Sequence, residues 1–170
     1  MKNHARHLAR AALIAALYAV LTHLQNLLLP GSATWAIQCR LSEILCVLAL
    51  FTPAAVSGLS VGCLLFNLTF AAALPLDWLL GTAATFCAAL SMRKLRHIRI
   101  FGYPLLSMLM PALFNALFVG LELTVYIGGG FFLNAFYVAL GELIVLLLPG
   151  SLMLHLLEKR GLAKRLFPET

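Results

Sequence analysis

The sequence predicts an all-α integral membrane protein that crosses the bilayer six times, with both termini on the cytoplasmic side. Three observations carry this reading. The chain of 170 residues is 62% hydrophobic and only 11% charged, with a mean hydropathy of +0.98, whereas a soluble domain carries about a quarter charged residues. Its apolar residues fall into long runs bounded by turn signals, and one spanning helix takes roughly 20 residues. Its basic residues gather in three clusters, as cytoplasmic loops do.

The runs place helices at about 8–29, 36–51, 53–71, 76–91, 104–126 and 132–156 of a single membrane domain covering 1–170. The first follows Lys2, Arg6 and Arg10. It reads as a retained span and not a signal peptide, because the apolar stretch continues to Leu29 without a small-residue cleavage site and its removal would leave an odd number of crossings. The second contains Arg40 and Glu43. From Leu41 to Phe51 it would measure only about 16 Å as an α-helix, so a start near Trp35 is expected. The third opens at Pro53, a first-turn proline capped by Thr52. Asp77 begins the fourth, and the fifth and sixth carry Asn115, Glu122 and Glu142.

Parity follows from the basic clusters, which are Lys2, Arg6 and Arg10, then Arg93, Lys94, Arg96 and Arg99, then Lys159, Arg160, Lys164 and Arg165. Placing all three inside requires four crossings between the first and second and two between the second and third. The formal net charge of +6 is therefore a topology signal. A nucleic-acid partner is not expected, since no basic stripe with interleaved aromatics occurs. Six spans take about 120 residues and leave no room within these residues for an ATPase domain, and there is no GxxxxGK[ST] loop.

Four of the 6 acids, Glu43, Asp77, Glu122 and Glu142, lie in or beside the apolar runs. A charged group there costs at least ~2 kcal/mol on insertion scales, so each needs a partner or a watery cavity. With the orientation above, Gln38, Arg40, Glu43, Asn67, Asp77, Glu122 and Glu142 gather toward the outer half. The spacing of three between Arg40 and Glu43 allows them to pair; the spacing of seven between Asn115 and Glu122 puts both on one helix face. One arginine cannot neutralise four carboxylates, so some would be protonated, water-exposed or waiting for a cationic or donor-rich ligand, and an outward-facing, acid-lined pocket is the sharper expectation. Among the aromatics at this level, Trp35, Phe66, Phe70, Trp78, Tyr126, Phe131 and Phe132, one or two would stack on a flat ligand and the rest form an interfacial belt.

Cys39, Cys46, Cys63 and Cys87 have no CxxC spacing, and no metal site, cofactor or nucleophile–base set is expected; the chain does not read as an enzyme. On the first helix Ala11, Ala12, Ala15 and Ala16 form small-xxx-small pairs that allow close helix approach, as do Gly58 and Gly62 on the third.

Several stretches resemble the QueT family: Gln38-Cys-Arg-Leu-Ser-Glu43 followed by Phe-Thr-Pro, Gly58-Leu-Ser-Val-Gly62-Cys-Leu-Leu-Phe-Asn67, Asp77-Trp-Leu-Leu-Gly81-Thr, Phe114-Asn115-Ala-Leu-Phe-Val-Gly120-Leu-Glu122 and Gly141-Glu142-Leu. The resemblance implies a six-helix substrate-binding (S) component of a prokaryotic energy-coupling factor (ECF) transporter in the cell membrane. Such a component captures a queuosine precursor, a 7-deazaguanine base or queuine, and passes it to a scaffold transmembrane subunit with two ATPases. It also implies that Ala11, Ala12, Ala15 and Ala16 dock on the scaffold. The candidate ligand set is Glu43, Glu122 and Glu142, supported by Gln38, Arg40, Asn67, Asp77 and Asn115, with Trp35 or Trp78 as a stacking platform; Arg40 either meets a ligand carbonyl or holds Glu43. The competing expectation is a small secondary transporter in which Glu122 or Glu142 cycles a proton.

Overall fold

The computed structural model describes residues 2–32, 39–71, 73–159 and 161–168. Among them every regular element is helical, apart from one isolated bridge between Ile100 and Tyr103. Helix α1 (Lys2–Leu28) is followed by a 3-10 helix (Leu41–Leu50), then α2 (Ala54–Thr69) and α3 (Asp77–Leu95). A short α4 (Leu105–Met108) leads into α5 (Met110–Tyr126), and α6 (Phe131–Val145) continues through a π turn (Leu146–Gly150) into α7 (Ser151–Lys159) and a short α8 (Leu162–Leu166). Three stretches, His4–Leu28, Leu105–Tyr126 and Phe131–Lys159, are long and apolar enough to cross a membrane.

Helix α1 stops where Pro30 cannot continue it and Gly31 turns left-handed at φ 84°. At α2, Pro53 occupies the N-cap position itself, and the Thr52 hydroxyl accepts the Ala54 N–H at 3.3 Å. Asp77 in the first turn of α3 and Arg93 and Lys94 in its last complement the helix dipole.

Two expectations are corrected. The second span is not an α-helix over about 36–51: Leu41–Leu50 is a 3-10 helix, and residues 33–38, which include the expected start, lie outside the described residues. At about 2 Å rise per residue the ten residues reach about 20 Å, more than an α-helix of that length would. This segment is the hub of the core: Ser42, Glu43 and Leu45 to Leu50 are buried, and it packs against α1, α2, α3, α6, the π turn and α7. The sixth helix is interrupted, because Pro149 has no N–H and its ring would collide with the Val145 carbonyl four residues back; the π turn accommodates it.

Close contacts set the helix directions. A Cβ on Gly58 would lie 2.7 Å from the Ala11 carbonyl oxygen, and one on Gly62 would lie 2.7 Å from the Tyr18 Cβ and 2.8 Å from the Ala15 carbonyl oxygen. Helices α1 and α2 therefore run parallel with backbones nearly touching, and the 3-10 helix runs antiparallel to α1 beside them. At Gly120, a Cβ would lie 2.9 Å from the Ala135 Cα, which joins α5 to antiparallel α6.

Candidate functional site

The polar residues meet at the end of the bundle where α1 finishes and α3 starts. One face of α1 holds the start of the 3-10 helix through hydrogen bonds. The Tyr18 hydroxyl donates to Glu43 Oε1, the Thr22 hydroxyl donates to Ser42 Oγ at 2.7 Å, Gln25 Nε2 donates to the Cys39 carbonyl at 2.6 Å, and Gln25 Oε1 accepts the Leu41 N–H at 2.8 Å. Tyr18, Thr22 and Gln25 were not singled out from the sequence, although their spacing of four and three places them on one face of an otherwise apolar helix.

Glu43 is buried and its other oxygen, Oε2, accepts the Cys46 S–H at 2.9 Å. Residues three apart eclipse in a 3-10 helix, which brings Cys46 over Glu43. Arg40 precedes that helix in extended backbone (φ −74°, ψ 105°), so its side chain leaves the same ridge. The expected Arg40–Glu43 pair is accordingly replaced: among the described residues the guanidinium pairs with Asp77, with Nη2 3.8 Å from Oδ1. Arg40 also lies over the Phe66 ring at 5.7 Å from its centroid, and Phe66 stacks on Phe70 at 5.1 Å.

Asp77 and Asn67 are joined, with Asn67 Nδ2 donating to the Asp77 carbonyl at 2.7 Å. Gly81 makes this junction fit, since a Cβ there would sit 2.9 Å from Asn67 Nδ2 and 3.1 Å from Asp77 Oδ1. From α5, Asn115 Nδ2 donates to Glu142 Oε1 at 2.8 Å. Glu122, 1% exposed, has Asp77 and the Leu76 backbone amide as polar neighbours, yet neither of its oxygens reaches hydrogen-bond geometry with any group. Arg40 lies within electrostatic reach of Glu43, Asp77, Glu122 and Glu142, and Glu142 of Glu43.

The structure thus brings Arg40, Glu43, Asn67, Asp77, Asn115, Glu122 and Glu142 into one buried group. Asn67 Oδ1, Asp77 Oδ1, both Glu122 oxygens and Glu142 Oε2 are buried there without a hydrogen-bond partner. Such groups normally find one, and leaving an acceptor unpaired costs about 1–3 kcal/mol. The set is rich in acceptors and poor in donors, which fits a ligand that supplies N–H groups.

Trp78 is not part of this group. It is half-exposed on the outer side of α3, where it lines an apolar groove with Ser60, Leu64, Thr82 and Phe86. Phe66 is buried beside the charges, as is Tyr18. Trp35 and Gln38 lie outside the described residues. The alanine row divides: Ala11 and Ala15 are buried against α2, while Ala12 and Ala16 are exposed on the opposite side of α1 among Leu8, Leu13, Leu17 and Val20.

A family model described as QueT transporter matches residues 8–159. Comparison with curated proteins and with solved structures gives no match.

Proposed function

The chain belongs to the QueT transporter family, and from that premise we propose that it is the substrate-binding S component of an ECF importer, capturing a queuosine precursor from outside for ATP-driven uptake by partner subunits. A transporter it is, and not an enzyme. The observation that carries the finer reading is the group of buried acceptors without a hydrogen-bond partner on Asn67, Glu122 and Glu142, beside Asp77, whose Oδ1 faces Arg40. A 7-deazaguanine offers adjacent N–H donors on its guanine-like edge, and the amine of the aminomethyl precursor or of queuine supplies a cation for a further carboxylate. Arg40, Asn115 and Phe66 would complete the walls, with Glu43 held behind them.

The proposed topology is one membrane domain with six crossings and both termini cytoplasmic, in a prokaryotic cell membrane. It is supported by charge placement. Arg93, Lys94, Arg96, Arg99, Lys159, Lys164 and Arg165 lie at the end of the bundle opposite the buried group, together with Arg6 and Arg10 near the start of α1. The acid group then lies toward the outer face. Ala12 and Ala16, small and exposed, are the proposed docking row for the scaffold subunit.

Reconstitution tests this division of labour. In proteoliposomes the chain alone should bind precursor without accumulating it, and accumulation should require the scaffold subunit, two ATPases and ATP. Accumulation by the chain alone along a proton gradient would replace this reading with the proton-coupled carrier.

A further inference from the structure

We propose that Glu122 is the carboxylate that receives the paired N–H donors of the ligand's guanine-type edge, and that Glu43 is a positioning residue and not a ligand contact. The assignment rests on the queuosine-precursor reading and adds which acid meets which edge.

A pair of N–H donors relieves the most where both oxygens of one buried carboxylate have no hydrogen-bond partner at all. Glu43 is the carboxylate least in need of them, because Oε1 already takes the Tyr18 hydroxyl and Oε2 the Cys46 thiol. Its backbone is also fixed, since Thr22 and Gln25 hold Ser42, Leu41 and Cys39 on either side of Arg40. Glu142 has one oxygen on Asn115 and one open. Asp77 directs Oδ1 toward Arg40 and gives its carbonyl to Asn67. Glu122 alone among the described carboxylates is buried with both oxygens unpartnered. Asn67, bonded to the Asp77 that neighbours Glu122, also has its Oδ1 buried without a hydrogen-bond partner, a second sign that donors are missing from this place. N–H groups arriving at Glu122 would satisfy both oxygens at once and lessen its repulsion from Asp77.

A site built around two N–H groups rejects an analogue that lacks one, because an acceptor is then left buried and unpaired. The matched probes are aminomethyl-7-deazaguanine, its analogue without the exocyclic 2-amine, and its N1-methyl derivative, titrated calorimetrically into the full chain in detergent. Wild type should prefer the first probe over either analogue by about 10-fold or more. Glu122→Gln leaves Oε1 for the ring N–H and puts an amide N–H opposite the exocyclic amine, so the preference over the analogue without that amine should fall toward one. Glu43→Gln and Glu142→Gln should keep it even where affinity drops. Tyr18→Phe should lower the melting temperature and keep the preference.

A preference over the analogue without the 2-amine that is retained in Glu122→Gln, or abolished in Glu43→Gln alone, overturns the assignment while leaving the function reading intact. Should Glu122→Gln fail to fold, wild type still decides: equal affinity for all three probes overturns the paired contact. No binding of any probe by wild type removes the function reading, and this assignment falls with it.

Discussion

Tyr18 determines what Glu43 has left to offer. Its hydroxyl takes one carboxylate oxygen, Cys46 takes the other, and the acid becomes part of the scaffold of the site. Tyr18→Phe should leave a buried oxygen unpaired and cost about 1–3 kcal/mol, read as a lower melting temperature in detergent; an unchanged melt would show that the bond contributes nothing. Glu122→Gln and Glu142→Gln should each weaken precursor binding by about 10- to 100-fold while the protein stays folded, and unchanged affinity in both would remove them from the site. The acids, Asn67 and Asn115 were legible because polar groups inside apolar runs are expensive enough to need a reason. The pairing was not. A spacing of three suggested Arg40 with Glu43, but the extended backbone at Arg40 and the approach of α3 give it Asp77, a tertiary contact that spacing does not encode.

At the scale of elements, α1 serves two neighbours at once, since its Ala11 and Ala15 side meets the α2 glycines while Tyr18, Thr22 and Gln25 hold the 3-10 helix. Gly62→Ala tests the closeness of that contact. Alanine gains about 1 kcal/mol of helix propensity over glycine, but its Cβ would meet the Ala15 carbonyl oxygen at 2.8 Å and the Tyr18 Cβ at 2.7 Å. Overpacking costs about 1–3 kcal/mol, so the net effect should be a lower melting temperature; a higher one would mean that the helices separate freely. Helix starts and stops at Pro30, Pro53 and Asp77 were readable from local chemistry. The 3-10 geometry of Leu41–Leu50 was not, because a nearly continuous apolar run gives little periodicity to tell three residues per turn from 3.6. The π turn had a visible signal in Pro149, which the apolar run around it masked.

For the whole molecule, the scarcity of charge sorts the chain by function. The basic residues collect at one end of the bundle and the buried acids toward the other, with Arg40 among them. The membrane class and the family were both legible in the sequence, the first from composition and the second from motifs spread along the chain; the family match over 8–159 agrees with the latter. Docking belongs to this scale as well. Leu substitutions at Ala12 and Ala16, which are exposed, should impair complex assembly or uptake and spare ligand binding. Loss of binding instead would assign that face of α1 to internal packing. The central claim, that the buried acceptors receive a queuosine precursor, is tested most directly by calorimetric titration of the purified chain with aminomethyl-7-deazaguanine, queuine, queuosine and guanine. The account predicts saturable binding of at least one of the queuosine-related ligands, tighter than guanine; binding of none of the four would contradict it.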